Sequence, residues 1–302
     1  MLKLYAQAAV HKPSVVAGQV PVLPNSSLTK TLNIDAKHCN HYNQLTHWRP
    51  HLAALVHPNY AQTLSLSMQL EMMVASDFPF KPIGLVHLAN QIHINFLPEQ
   101  DARLTLKTSF GKLCWHKRGW VIEVITHAYI GTDLALTGKS YYLSRAKHAL
   151  NAQQLAVLVQ PLPQWIADGI NAHNLNHTQE TENKLDFSDD IGRKYARISG
   201  DYNPIHLHPY TAKLLGFKRA IAHGMFSKAW ALSILAKQHS AFKSEYCINV
   251  LFSQPIVLPL NTKLVSQIDS SLHNSKHLLF NLHSEKRKKQ RIHLLGSLQT
   301  LA

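Results

Sequence analysis

Apolar residues alternate with polar ones, or continue without interruption, over several stretches in the first half of the chain. Turn-forming residues separate these stretches, a pattern that predicts β-strands of an antiparallel meander. The predicted strands are His87–Phe96, Ala102–Ser109, Trp120–Tyr129 and Asp133–Leu143. The preceding segment, Gln62–Ala75, fits a helix, although the alternation of Ser65 and Ser67 with leucines also fits a strand.

The second half begins with predicted helices and ends with predicted strands. One helix opens within Phe187–Asp190 and ends near Ile198, with Ser188 as its N-cap. A short helix is predicted over Pro209–Leu215, and a longer one from Ala222 to about His239, because apolar residues recur there at helical spacing. Four predicted strands follow: Tyr246–Val257, Thr262–Ser270, His277–His283 and Arg291–Leu301.

Both halves therefore follow one coarse plan, a helix and then four strands. The plan predicts an α+β fold in which a curved antiparallel sheet wraps each of two long helices, so that one chain forms a pseudo-dimer. A stretch rich in Gln, Asn, His and Pro separates the halves. We expect an N-terminal domain over residues 1–150, a linker over residues 151–180 with a short helix near Gln153–Leu158, and a C-terminal domain over residues 181–302.

The net charge of +14, from 31 Lys and Arg against 17 Asp and Glu, suggests an anionic partner. One dense basic run, Lys286–Arg291, lies between two predicted strands and predicts a solvated hairpin turn. Without zinc-finger spacing or an aromatic RNA-binding signature, nucleic acid is not the expected partner. Three scattered cysteines, no apolar run of about 20 residues and no signal-peptide cleavage site predict a soluble cytoplasmic protein without a membrane partner.

The candidate catalytic residues lie in the second half, between the end of its first predicted helix and the start of its long helix. Asp201 and His206 stand five residues apart, and Asn203-Pro204 forces a turn between them. Such a turn can bring a carboxylate and an imidazole to one point and let both hold a water, as general acid–base catalysis requires. His223-Gly224 stands at the start of the long helix, where backbone N–H groups can stabilise a developing oxyanion.

These positions closely resemble the signature of the MaoC-like dehydratases, or (R)-specific enoyl-CoA hydratases, of the double-hotdog type. The matching residues are Ser199-Gly200-Asp201-x-Asn203-Pro204-x-His206 and, after a matching gap, Ile221-x-His223-Gly224-Met225. The resemblance implies a hotdog fold and a reversible, cofactor-free hydration of trans-2-enoyl thioesters to (R)-3-hydroxyacyl thioesters. The implied substrate is an acyl-CoA or acyl-carrier-protein thioester, and no metal is expected.

The resemblance also implies roles for single residues. Asp201 and His206 would be the catalytic pair, and Asn203 would shape the loop between them. Gly224 would donate its backbone N–H to the thioester carbonyl oxygen. His223 is either a structural hydrogen-bonding residue or one that shapes the site. The first half would be a degenerate hotdog that shapes a tunnel for the acyl chain, and the sequence leaves open which member of the pair carries which proton.

Two other functions remain alternatives. A hotdog thioesterase is disfavoured by the Asp-x-Asn-Pro-x-His signature, and a non-catalytic subunit that binds acyl thioesters is disfavoured by the intact Asp201 and His206 pair. The acyl-chain length, the carrier, the direction of the reaction and the choice between a monomeric pseudo-dimer and a homodimer stay open.

Overall fold

A computed structural model describes residues 1–16, 19–48, 55–146, 152–170, 172, 181–239, 242, 245–269, 277–286 and 289–301. The helices are α1 (Leu2–Val10), α2 (Ala36–Leu45), α3 (Tyr60–Met73), α4 (Ala152–Leu158), α5 (Gln164–Ala167), α6 (Ile191–Ser199), α7 (Pro209–Leu214) and α8 (Gly224–Gln238), with a 3-10 helix over Pro204–His206. The strands are β1 (Ser27–Asn33), β2 (Val86–Ile94), β3 (Arg103–His116), β4 (Gly119–Ile130), β5 (Asp133–Arg145), β6 (Thr181–Phe187), β7 (Tyr246–Phe252), β8 (Leu260–Asp269), β9 (His277–Lys286) and β10 (Lys289–Thr300).

The strands form one antiparallel sheet in the order β1-β3-β4-β5-β2-β7-β10-β9-β8-β6. The order β1-β3-β4-β5-β2 of the first half has the same topology as β6-β8-β9-β10-β7 of the second. Strands β2 and β7 join the halves in a register that runs from Ala89 opposite Leu251 to Ile94 opposite Tyr246. The repeated topology confirms the α+β class and the duplicated plan that the sequence predicted.

Helix α8 is the central helix of the second half. Ala229, Leu232 and Leu235 are each 0% exposed and belong to the main core, together with Phe280 and Leu282 of β9. A helix that is apolar on most sides must be enclosed to be stable, and each fully buried leucine contributes about 1.5–3 kcal/mol. This burial anchors the helix whose N-terminus faces the candidate site.

Helix α3 occupies the corresponding place in the first half and settles the ambiguity of Gln62–Ala75 in favour of a helix. Met68 and Met72 lie in the interior. The helix also buries polar residues that hydrogen-bond to β4 and β5: Gln62 accepts from Ser140, Ser65 accepts from Thr126, and Gln69 accepts from Tyr142. These buried polar positions interrupt the apolar period, which is why the pattern alone did not identify the helix.

Helix α6 differs from its prediction at its start. It begins at Ile191 with Asp190 in the N-cap position, so the prediction that Ser188 caps it is wrong. The Ser188 hydroxyl donates to Asp190 Oδ1 at 2.7 Å instead of accepting from a helix N–H. The opening residues therefore form a turn before the helix, and they follow β6, which the sequence pattern did not predict.

Strand β7 is shorter than predicted, since it ends at Phe252 and not at Val257. The residues after it pair with the segment that precedes α8. Ala222 N–H donates to Ile256 O at 2.9 Å, and Leu258 N–H donates to Ala220 O at 2.9 Å. Pro255 has no N–H for a sheet ladder, so the chain leaves β7 there and supports the approach to α8.

Two further predictions concern the connections. The linker contains α4 and α5, while residues 173–180 lie outside the described part of the chain. Lys286 and Lys289 pair across the ends of β9 and β10, and residues 287–288 of the basic run also lie outside the described part of the chain.

Among the residues that the structure describes, no helix is long and apolar enough to cross a membrane.

Candidate active site

The site begins where α6 ends. Gly200 adopts a left-handed conformation with φ 73°, which a glycine tolerates without steric cost, and the chain leaves the helix there. The Ser199 hydroxyl donates to Tyr195 O at 2.9 Å and accepts the Asp201 N–H at 3.1 Å. The end of the helix therefore sets the backbone of Asp201 directly.

The turn that follows carries the chain from Asp201 to His206. The Asn203 N–H donates to Asp201 Oδ1 at 3.2 Å, and Asn203 Oδ1 accepts the Ile205 N–H at 3.4 Å. Asn203 is thus the N-cap of the 3-10 helix, and Pro204 occupies its first position, where the missing N–H costs nothing. The geometry matches the loop-shaping role that the resemblance implied for Asn203.

His206 is held by the segment ahead of α8. Its Nδ1 lies 2.8 Å from Ile221 O, and the Ile221 N–H donates to Ile205 O at 3.1 Å. A carbonyl oxygen only accepts, so Nδ1 carries the proton and Nε2 of the neutral ring keeps its lone pair. Burial lowers the pKa of His206, which keeps the ring neutral and able to act as a base.

His223 stacks on His206, with ring centroids 3.7 Å apart and planes inclined by 28°. His223 Nε2 donates to the backbone O of Asp201 at 3.0 Å, and it lies 3.8 Å from Asp201 Oδ2. Burial, reinforced by the neighbouring His206, lowers the pKa of His223 to about 3. His223 therefore holds the backbone of Asp201, and its ring lies against the candidate base.

The Asp201 carboxylate receives a second, distant donor. Tyr5 of α1 donates its hydroxyl hydrogen to Asp201 Oδ1 at 2.6 Å. Burial would raise the pKa of Asp201, but His223, His206 and the hydrogen bonds from Tyr5 and Asn203 outweigh it and hold the pKa below its usual range. Asp201 is therefore ionised beside a neutral His206, an arrangement suited to moving a single proton.

Gly224 is the first residue of α8, and its N–H is among those that have no acceptor within the helix. A Cβ at this position would meet the ring of Phe252 at 3.0 Å. Because β7 approaches so closely, the position favours glycine. The first N–H of α8 therefore follows directly after His223, and its role as an oxyanion donor stays a prediction.

The first half of the chain contributes aromatic residues to the surroundings of Asp201. Ring centroids of His87 and Tyr142 are 4.7 Å apart, and those of His87 and Phe252 are 4.9 Å apart. Both His87 and Tyr142 interact electrostatically with Asp201. Sequence reasoning missed these two residues and Tyr5, because no spacing relates them to Asp201.

A cavity of about 390 Å³ borders the same loop. Its lining comes from Met1, α2, α3, the end of α6 and the residues that follow α6, and includes Thr63, Arg197, Gly200 and Tyr202. The cavity lies next to Asp201 in the chain and offers one cationic side chain, that of Arg197.

Asp201, His206 and His223 also form a group of possible metal ligands, whose donor atoms lie within 4.8 Å of one another. Each residue already uses one atom in a protein hydrogen bond: Asp201 Oδ1, His206 Nδ1 and His223 Nε2. The atoms left are one carboxylate oxygen and one ring nitrogen from each histidine. Asp201 Oδ2 and His206 Nε2 are acceptors that a water can use, which is the chemistry expected of the site.

Comparisons with known proteins agree with this geometry. A family profile described as "MaoC like domain" matches residues 171–268. The 3-hydroxyacyl-thioester dehydratase X of Mycobacterium tuberculosis is 28% identical over 82% of this chain and 84% of its own length. The peroxisomal enoyl-CoA hydratase 2 of Arabidopsis thaliana is 27% identical over 60% of this chain and 58% of its own length.

Solved structures show the same fold. HtdX of Mycobacterium tuberculosis superposes with a TM-score of 0.69 at 23% identity, covering 91% of this chain and 100% of that one. A second protein of the same organism, described as a double hotdog, gives a TM-score of 0.60 at 11% identity over 93% of this chain and 96% of that one. These likenesses confirm the double-hotdog fold. In sequence, residues 171–268 match the MaoC-like domain, and the chain is similar to a 3-hydroxyacyl-thioester dehydratase and to an enoyl-CoA hydratase.

Proposed function

We propose that the protein catalyses the reversible hydration of trans-2-enoyl thioesters to (R)-3-hydroxyacyl thioesters, with Asp201 and His206 as the catalytic pair. A 3-hydroxyacyl-thioester dehydratase and an enoyl-CoA hydratase are among its relatives, so the chain is a hydro-lyase. The observation that carries the finer proposal is the convergence of an ionised carboxylate and a neutral imidazole. Asp201, His206 and His223 each have a possible ligand atom within 4.8 Å of those of the other two.

In hydration, Asp201 and His206 hold one water between Asp201 Oδ2 and His206 Nε2. The water oxygen adds to the β-carbon while the pair takes one of its protons, and the pair returns a proton to the α-carbon. Dehydration reverses both transfers: the pair removes the α-proton and protonates the leaving hydroxyl. The two groups titrate as a coupled unit, so the proposal assigns the proton to the pair.

Charge develops on the thioester oxygen as the β-carbon is attacked. The Gly224 N–H at the positive end of α8 is the proposed donor to that oxygen. His223 holds the Asp201 backbone, and Asn203 holds the turn, so both keep the pair aligned without exchanging protons with substrate. Loss of one such oxyanion donor typically costs about 10²–10³-fold in rate.

The proposed carrier is coenzyme A or an acyl-carrier protein. Coenzyme A is polyanionic and carrier proteins are usually acidic, so a protein of net charge +14 attracts both. Arg197 in the cavity beside the active-site loop gives a local cation for either carrier. The charge supports an anionic carrier and does not choose between the two.

The test follows the enoyl-thioester absorbance with crotonyl-CoA, a longer trans-2-enoyl-CoA and the matching carrier-protein thioesters. We expect wild type to remove the absorbance and to form the (R)-3-hydroxyacyl product. Asp201→Asn and His206→Gln should each lower kcat about 10²–10⁴-fold, as expected for loss of a general acid–base group. His208→Gln is the matched control, because His208 is exposed and its side chain contacts α7, where it caps the helix and stacks on Tyr210.

Release of free thiol without hydration would replace this proposal with a thioesterase. Binding of every thioester without turnover, in a folded protein, would replace it with a non-catalytic binding subunit. Full activity in Asp201→Asn would refute the proposed catalytic pair while leaving the hydro-lyase assignment in place.

A further inference from the structure

Helix α1 lies across the candidate site and is fastened at both ends. A Cβ on Gly200 would meet the Met1 side chain at 3.0 Å, so the start of the helix rests on the end of α6. After the helix, His11 Nε2 bonds to Phe78 O at 2.8 Å, and the Ser14 N–H donates to Pro79 O at 3.0 Å. These contacts hold α1 between the active-site loop and the loop that precedes β2.

Tyr5 is the residue of α1 that reaches the chemistry. Its hydroxyl donates to Asp201 Oδ1 at 2.6 Å, across 196 positions of sequence. Burial and the nearby Asp201 carboxylate raise the pKa of Tyr5 far above its usual value. The hydroxyl therefore keeps its hydrogen throughout the working pH range and acts as a donor to the carboxylate.

The two oxygens of Asp201 have different surroundings. Oδ1 accepts from the Tyr5 hydroxyl and from the Asn203 N–H, whereas Oδ2 faces His223 Nε2 at 3.8 Å. With Oδ1 committed to two donors, the carboxylate cannot rotate without breaking both hydrogen bonds. The oxygen that remains for a water is the one on the side of the stacked histidines.

We infer that Tyr5 is a positioning residue for the hydration reaction: its hydroxyl fixes the rotation of the Asp201 carboxylate and stabilises its ionised form, so that α1 is part of the active site. The inference rests on the proposed function of Asp201. It assigns Tyr5 no contact with substrate, and it gives the N-terminal helix a role in turnover that the family signature does not contain.

Tyr5→Phe tests the inference, because it removes the hydroxyl and keeps the ring that packs beneath α1. Hydrogen bonds to charged groups are strong enough that we expect kcat to fall about 10-fold to 100-fold. The acid limb of the kcat profile should move to higher pH by about one unit or more, since an unsupported carboxylate protonates more readily. KM should change little.

Tyr210→Phe is the matched control, because Tyr210 is 72% exposed on α7 and the proposed mechanism gives its hydroxyl no role. It should leave both kcat and the pH profile unchanged. A melting temperature close to wild type in Tyr5→Phe would show that α1 is still seated.

A fall in kcat without a shift of the acid limb would overturn the inference, since Tyr5 would then act only through packing. An increase in kcat would overturn it too, because it would mean that Tyr5 obstructs the site. A wild-type protein without hydratase activity would instead refute the proposed function, so the two failures are distinguishable.

Discussion

Lys228 offers a stability prediction that is independent of the reaction. This residue of α8 is 0% exposed, and its ammonium group donates to Asn90 Oδ1 of β2, where the two halves of the sheet meet. Within the described part of the chain Lys228 forms no ion pair. Burial without a counter-charge lowers its pKa to about 7, from an ordinary value of 10.5.

The sign of the pH effect follows from the protons that each state binds. Between pH 7 and 10.5 the unfolded chain holds a proton on Lys228 that the folded chain has released, so stability rises with pH in this window. Below pH 7 Lys228 is protonated in both states, so the free-energy cost of burying its charge no longer changes with pH. With 1.36 kcal/mol per pH unit, this one group adds about 2.5 kcal/mol to the free energy of unfolding between pH 7.5 and 9.5.

The assay is urea unfolding of wild type and Lys228→Met at pH 7.5 and pH 9.5. The difference between the two proteins isolates the lysine, because every other titrating group is common to both. We expect wild type to gain about 2.5 kcal/mol relative to Lys228→Met over this interval. Loss of the partner of Asn90 is a constant offset and does not alter the slope.

Lys237→Met, on the exposed side of the same helix, is the control and should show the wild-type pH dependence. If wild type and Lys228→Met change in parallel between the two pH values, the buried amine is protonated in both states, and the reasoning from its burial is refuted.

Two further predictions concern stability. Gly296 of β10 lies opposite Phe280 of β9, and a Cβ there would overlap the phenylalanine ring, so Gly296→Ala should cost about 1–3 kcal/mol in urea unfolding; an unchanged midpoint would contradict it. His57 is buried with Nε2 donating to Ala229 O and Nδ1 accepting from Asn59 N–H, and burial lowers its pKa to about 3. Since the unfolded chain binds the proton first as pH falls below 6.5, wild type should lose about 2.5 kcal/mol relative to His57→Gln between pH 6 and pH 4, and equal acid sensitivity of the two proteins would contradict it.

The central part of the site was predictable because its signals are local. Asp201, Asn203 and His206 lie within one turn of chain, and Gly200 and Pro204 constrain the backbone on either side of it. Local rules of this kind predict the turn that carries these three side chains. The start of α8 at Gly224, one residue after His223, is likewise a short-range feature.

The remainder depended on contacts between distant residues. Tyr5 belongs to a short helix whose apolar pattern resembles that of many surface helices, and its partner lies 196 residues further along. His87 and Tyr142 reach Asp201 only because β2 and β5 are neighbours in the sheet. Hydrophobic periodicity does not determine strand order, so the placement of His87 and Tyr142 beside Asp201 could not be derived from the pattern.

Helix α3 shows the same limit within one element. Its buried Gln62, Ser65 and Gln69 are stabilised by hydrogen bonds from two strands, and those strands are invisible to a local reading. The polar residues therefore left the pattern of a central helix ambiguous between a helix and a strand. The predicted domain boundaries at residues 150 and 181 and the tunnel-shaping role of the first half stay predictions, and the polar side of α3 indicates that such a tunnel would meet polar groups as well as apolar ones.

The most direct measurement of the central claim is the stereochemical course of hydration in deuterium oxide. The protein would convert a trans-2-enoyl-CoA, and NMR of the product would locate the new hydrogen. The account predicts an (R)-3-hydroxyacyl thioester with one deuterium on the α-carbon, formed by wild type and lost in both Asp201→Asn and His206→Gln. An (S)-product, or deuterium incorporation that survives either substitution, would contradict it.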